Sequence, residues 1–415
     1  MSDELMPAQP DRDWCLARDA ADPLAAMRAH FSLSDGKIYL DGNSLGPPPK
    51  AALALATTLI EDEWGQGLVS SWNDADWVNL PVALGQEAAP LIGAQGDEVI
   101  VCDSVSINLF KLLSAAIAMR AGRRTIIMET GDFPTNGYIA QGLAGRADIR
   151  FVARADIIAA INTDTIALCL SHAHYKTGQI HDMAALSAHA HAAGALALWD
   201  ISHSAGALPV DLNGSAADFA TGSTYKFLNG GPGAPALLFA ARRHLGETRQ
   251  PLQGWWGHAD PFAFEPDYRP RGDIRQFLTG TPPILSLAMV GAGIAIHRQA
   301  DMGQVRAKSQ ALGDLMINLI ESRCASHGFV LAAPRDAGQR SSQVSFAHVH
   351  AYPIMQALIA AGVVGDFRAP DLLRFGFAPL YVRYVDVWDT VERLAAIMDE
   401  GVWQEPRFAN RQAVT

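Results

Sequence analysis

From residue 98 to residue 240 the chain alternates short apolar runs, rich in β-branched residues, with stretches whose apolar positions recur at helical spacing. The runs EVIVC, TIIMET, IRFVA, TIALCLS, ALALWDIS, DFATGS and ALLFA read as strands, and SINLFKLLSAAIAMR, NGYIAQGLAG and MAALSAHAHAAG between them as helices. Strands and helices in this alternation build a mainly parallel sheet with crossover helices. Upstream, AALALATTLIEDEW (51–64) predicts a helix with the prolines at 47–49 suited to its first turn. After Pro283 the rhythm changes to a long helical region reaching about Cys324, the strands FVLAA and QVSFAHV, a helix from Tyr352 to Ala361, a strand near LLRFGFA and the closing helix DVWDTVERLAAIMDE. The expected fold class is α/β: an N-terminal segment near the active site (1–50), a large domain with a mainly parallel sheet (51–295) and a smaller α+β domain (296–415).

Composition narrows the partners. Of 415 residues 49% are apolar and 18% charged, which is globular and not disordered. The formal charge of −11 repels nucleic acid and anionic membranes in the absence of a basic stripe, so small metabolites are the expected partners. The longest apolar stretch, Ile284 to Ile296, is short of the roughly 20 residues a bilayer requires. Cys15, Cys102, Cys169 and Cys324 lie far apart without a CxxC pair, so neither a disulfide framework nor a zinc site is indicated and a cytoplasmic location fits best.

Within this frame Lys226 is out of place. It follows the strand DFATGS, between Tyr225 and Phe227, and Asp200 closes the strand ALALWD 26 residues earlier, at the edge where open α/β sheets bind ligands. A lysine there either snorkels its ammonium to water or serves as nucleophile and base. Its company favours the second. Pyridoxal phosphate (PLP) needs a lysine for the imine, a carboxylate for the pyridine nitrogen, a stacking ring and a phosphate cup. Asp200 supplies the carboxylate, Phe133 of GDFPTN the ring, and helix starts at Asn136 or near Ser106 the unpaired N–H groups. GPGAPA (231–236) matches a dinucleotide fingerprint but precedes its strand and carries two prolines, so it is set aside. Among histidines 172, 174, 181, 189 and 191, His189 and His191 point away from one another on a predicted helix and His172 and His174 have no acidic or thiol partner at ligand spacing; they read as solvated or capping groups, and no metal is expected.

The stretches YLDGNSLGPPP (39–49), DSVSINL (103–109), GDFPTN (131–136), SHAHYKTGQ (171–179), WDISHSAGALPVDL (199–212), STYKFLNGGPGAP (223–235), GWWGH (254–258), TGTPPIL (279–285) and VVGDFRAP with LLRFGFAPLY (363–381) resemble, in this order, the kynureninase family of PLP enzymes, fold type I, in the aminotransferase class V group. The resemblance implies Lys226 as imine lysine, Asp200 at the pyridine nitrogen and His203 near the ring. It implies Val105, Ser106 and Phe133, Pro134, Thr135 and Asn136 as phosphate-cup positions, with Phe133 covering the ring, and Ser171, His203 and Tyr225 as further cofactor contacts. Trp255 and Thr281 fall where the family reaches the cofactor phosphate of a neighbouring subunit, implying a homodimer with shared active sites. Thr281 could otherwise cap the helix holding Pro282 and Pro283. Arg374 resembles the arginine that grips the substrate α-carboxylate through a paired fork.

The implied reaction is hydrolytic Cβ–Cγ cleavage of L-kynurenine, or its 3-hydroxylated relative, to anthranilate and L-alanine in tryptophan catabolism, with Lys226, Asp200 and Tyr225 as catalytic groups. Asn43, Ser44, Ser70, Ser71 and Trp72 are loosely placed near the aryl pocket. Rivals of the same fold are a cysteine desulfurase or selenocysteine lyase, which needs a reactive thiol that the loop DAGQRSS (336–342) lacks, and an aminotransferase. A non-catalytic scaffold would be expected to have lost Lys226 or Asp200.

Overall fold

The computed structural model describes residues 6–7 and 9–411. Its contacts divide into two compact units. One combines the chain up to Lys50 with Tyr175–Ile180 and the chain from Gln299 on; the other holds Ala51–His174 and His181–Arg298. After β1 (Ile38–Tyr39) come β2 (Val99–Cys102), β3 (Thr125–Glu129), β4 (Asp148–Val152), β5 (Thr165–Ser171), β6 (Leu196–Asp200), β7 (Phe219–Gly222) and β8 (Ala236–Ala240). β9 (Val330–Leu331), β10 (Gln343–Ala347), β11 (Val363–Val364), β12 (Asp366–Arg368) and β13 (Leu372–Gly376) follow.

The Ala51–Arg298 unit is built on a seven-stranded sheet of order β2-β8-β7-β6-β5-β3-β4. Neighbours from β7 to β4 are parallel, and β8 alone runs against both of its neighbours, which leaves β2 pointing the same way as the rest. Alternate residues of each strand feed two separate cores: Ala197 and Trp199 of β6 join Val101, Leu168 and Phe239 in one, Leu196 and Leu198 join Ile100, Met128 and Phe219 in the other. Because both faces are covered, the strands other than the edge strand β4 are buried at nearly every position rather than alternating, which is why they stand out in the sequence as continuous runs.

Four expectations are corrected here. The 51–64 helix is α-helical only over Ala51–Thr57 and continues as a π-helix over Thr58–Gly67; at the junction the Thr57 hydroxyl bonds back to the Leu53 carbonyl, a competitor for the regular ladder. Its prolines precede the first turn instead of forming it. The long helical region after Pro283 is two helices, Ile284–His297 and Met302–Arg323, because Asp301 caps the second by accepting the Gln304 N–H at 2.8 Å. Thr281 caps neither, since the first begins directly after Pro283 with no side-chain cap.

The helix Ile284–His297 bears on the lysine loop. A Cβ at Gly293 would lie 1.9 Å from the Leu228 carbonyl oxygen, so only glycine lets the helix touch the backbone two residues beyond Lys226. Gly293→Ala is expected to cost about 1–3 kcal/mol, read as a lowered thermal midpoint; an unchanged midpoint would show that the loop yields freely.

The other unit carries a four-stranded antiparallel sheet of order β12-β13-β10-β9 and a two-stranded parallel ribbon of β1 with β11. Helices Arg12–Ala20 and Met302–Arg323 pack on the closing helix Tyr384–Asp399. The register sets Asp366 of β12 directly opposite Arg374 of β13. Among the described residues no helix is long and apolar enough to cross a membrane.

Candidate active site

The parallel sheet delivers the candidate residues to one edge. Val105 and Ser106 follow β2, Phe133 to Asn136 follow β3, Ser171 ends β5, Asp200 ends β6, and Tyr225 and Lys226 follow β7. All five strands point the same way, so their carboxyl ends share an edge.

Lys226 is half-buried, and its Nζ lies 2.8 Å from Nε2 of His203. Two basic nitrogens at that distance form a hydrogen bond only if one of them is a neutral acceptor. The same Nζ sits 5.9 Å from the centroid of the Phe133 ring and 6.0 Å from that of Tyr225. Asp200 is buried and held on both oxygens: Oδ1 accepts the Ser202 N–H at 2.9 Å, and Oδ2 accepts the Asn136 amide at 2.9 Å. The Asn136 amide also approaches Ser171 Oγ at 3.4 Å. Burial and the charge of Asp200 raise the Tyr225 phenol above its ordinary range, keeping it protonated and able to donate.

Two helix N-termini flank this group. Ser104 caps Val105–Met119 through the Ile107 N–H, leaving the first N–H groups of that helix without intrahelical acceptors. The helix Pro134–Gln141 begins directly after Phe133. Amine, buried carboxylate, aromatic face and helix N-termini at one edge fit the parts PLP requires.

Trp255 and Thr281 belong to the same unit and are exposed. Trp72 packs edge-on against Trp77 and beside Trp256, and the Ser71 hydroxyl bonds the Glu63 carbonyl. Of the histidines expected to be solvated or capping, His189 is exposed, but His172 and His181 are buried. His181 is buried and meets Glu129 at 2.7 Å, and His191 and His244 meet Asp218 at 2.7 and 2.6 Å. These anchors were hidden because each joins residues from different strands and helices, not from one motif. Asp132 was also missed: it is buried, its Oδ1 accepts the Phe133 N–H at 2.7 Å, and burial with the nearby Asp200 charge raises its carboxyl although Ser171 opposes this.

In the other unit, Arg374 is fully buried within β13. Its Nε donates to Asp366 Oδ1 at 2.7 Å and its Nη2 to Asp366 Oδ2 and to Ser44 Oγ at 2.9 Å, while Nη1 donates to the Tyr175 carbonyl. One paired edge of the fork is thus filled by Asp366, the cross-strand neighbour. Arg368 adds a bond to Asp366 at 2.6 Å, and Ser44 donates to it at 2.8 Å. Asn43 is buried next to Gln343 at 3.4 Å. The quoted stretches contained Asp366, but its importance depends on a hairpin register that local pattern does not state.

Comparison with solved structures defines the class. A cysteine desulfurase from Thermococcus onnurineus NA1 superposes with a TM-score of 0.76 at 18% identity, covering 90% of this chain and 98% of its own. A C-DES variant with glycine covalently linked to its PLP cofactor gives 0.75 at 19%, covering 93% and 99%. The architecture is fold type I of the PLP-dependent transferases. Residues 305–394 match the model of the kynureninase C-terminal domain. Kynureninases of Burkholderia mallei (strain SAVP1) and Pseudomonas fluorescens are 51% and 49% identical over 97% of the chain and 99% of their own length. The chain belongs to the kynureninase family.

Proposed function

We propose that the chain binds PLP at Lys226 and hydrolyses the Cβ–Cγ bond of L-kynurenine, releasing anthranilate and L-alanine. The observation that carries this reading is the meeting of the Lys226 and His203 pair with the buried Asp200 at one sheet edge, in a chain of this family. When bound, the cofactor supplies an electron sink for the pair freed at the substrate α-carbon.

The residues divide the remaining tasks. Lys226 removes and returns the α-proton, and His203 positions its amine through the 2.8 Å contact. Asp200, braced by Asn136 and Ser202, holds a proton on the ring nitrogen. Phe133 covers the ring, Val105, Ser106, Pro134 and Thr135 stand at the helix starts that receive the phosphate, and Ser171 supports Asn136. Tyr225 protonates the carbon that leaves as alanine's methyl. Arg374 receives the α-carboxylate.

A homodimer accompanies this reading, with Trp255 and Thr281 serving the partner's phosphate. Support comes from apolar side chains exposed along one stretch, Leu53, Ile60, Trp64, Leu68 and Val69, and from Phe262 and Phe264 beside Trp255. The four free, buried cysteines support a reducing, cytoplasmic setting. They also weigh against desulfurase chemistry, since burial pushes the thiols of Cys15, Cys102 and Cys324 up to about 12 and leaves them inert.

The test is to supply the protein with PLP and L-kynurenine and follow anthranilate fluorescence together with alanine. Equal amounts of both are expected. Alanine consumption or formation without anthranilate would assign an aminotransferase or lyase instead, and running 3-hydroxykynurenine in parallel ranks the two substrates.

A further inference from the structure

Four charged side chains gather around Ser44: Asp366 and Arg368 on β12, Arg374 on β13, and Asp41, which follows β1 and bridges to Gly376 at the end of β13. Asp366 is saturated. Burial disfavours its charge, but Arg374, Arg368 and Ser44 outweigh that and hold its pKa below the ordinary carboxylate value. Asp41 is different. Its Oδ1 is buried and accepts no hydrogen bond among the described residues. Burial, with repulsion from Asp366, pushes its carboxyl up to about 7 against the pull of Arg374, Ser44 and Arg368. The remaining titratable groups facing it, Tyr39 and Tyr381, have phenols raised by burial and stay protonated.

Charge balance then decides what an arriving anion does. With Asp41 ionised the two carboxylates and two guanidinium groups sum to zero; with Asp41 protonated they sum to +1. We propose that Asp41 takes up a proton from solvent when the substrate α-carboxylate binds at Arg374, and so sets the pH range in which substrate is admitted. This rests on the reading of Arg374 as the carboxylate receptor. Because the incoming anion favours the neutral form, Asp41 holds its proton more tightly in the complex than in the free enzyme. Affinity is therefore highest below the free-enzyme pKa and falls as pH rises through it. Asp41 is a positioning residue that acts through Arg374.

The probe is 4-oxo-4-phenylbutanoate, which keeps a carboxylate and an aryl ketone but has no amino group to react with the cofactor. Calorimetry on the PLP-loaded enzyme at pH 7.5, in two buffers of different ionisation enthalpy, counts protons taken up. Net uptake is expected, with binding weakening about tenfold between pH 6.5 and 8.5. Asp41→Asn is expected to abolish the uptake and flatten the profile, and the KM for L-kynurenine should lose its pH dependence in the same way. No uptake by the unaltered enzyme, a count that needs no variant to fold, overturns the proposal. So does an Asp41→Asn profile parallel to the native one. Probe binding undiminished in Arg374→Ala would instead remove the carboxylate reading on which the proposal stands.

Discussion

Lys226→Ala is expected to slow anthranilate release by about a thousandfold or more while leaving the fold intact. Proton transfer by a positioned group contributes typically 10²–10⁴ in rate, and on the proposed reading alanine removes that group together with the covalent hold on the cofactor. Stability should change little, because Lys226 is half-buried on a loop and not packed within the apolar cores. Two measurements separate chemistry from folding: thermal melting of the two proteins, and the visible absorbance of PLP bound to lysine, which the variant should lack. A variant that melts normally yet retains most of its activity would remove Lys226 from the mechanism and shift attention to another amine. Lys111 is the obvious alternative by burial, but its Nζ is already committed to Asp103 and to the Phe277 carbonyl. Such a lysine is tied down by its partners for structural reasons. The contrast shows why the neighbours of a buried amine, more than its burial, identify a nucleophile.

Much of the candidate site at the sheet edge was legible in sequence because it obeys two simple rules. Strands covered on both faces write themselves as unbroken apolar runs, and in a parallel sheet the residue after each run lands on the functional edge. Lys226, Asp200 and Phe133 each satisfy both, so their placement follows from local pattern plus the direction of β3, β6 and β7. Arg374 was recognisable as a charge inside an apolar stretch, but the partners that fix it were not. Asp366 meets it through the offset of a hairpin, and Asp41 and Ser44 arrive from more than 300 residues away in the chain. Asp218 escaped for the same reason: its bonds to His191, His244 and Arg243 depend on packing between separate elements. The π-helical segment after Thr57 was not legible either: π-helices are rare, so a helical pattern in sequence is read as α.

Asp366→Ala is expected to destabilise the protein by about 3–5 kcal/mol, the cost of leaving a buried guanidinium without its anion. Arg374 and Asp366 are each only 1% exposed, so water cannot replace the lost bonds. Arg368 loses the same acceptor. Asp41 provides partial relief: with Asp366 gone, the repulsion that raises its pKa disappears and it ionises beside the arginines, placing the loss nearer the lower end of the range. The sign with pH follows from the depressed pKa of Asp366. Its contribution is fully present above the unfolded carboxylate value of about 4 and fades as pH falls through the lower folded value, so the native and variant midpoints should converge in acid. A double-mutant cycle with Arg374→Ala tests the pairing itself: the double variant should lose less than the sum of the two single losses, because removing both charges leaves neither stranded. Additive losses would mean that the two side chains contribute independently, and Asp366 would then have no part in presenting Arg374 to a substrate carboxylate.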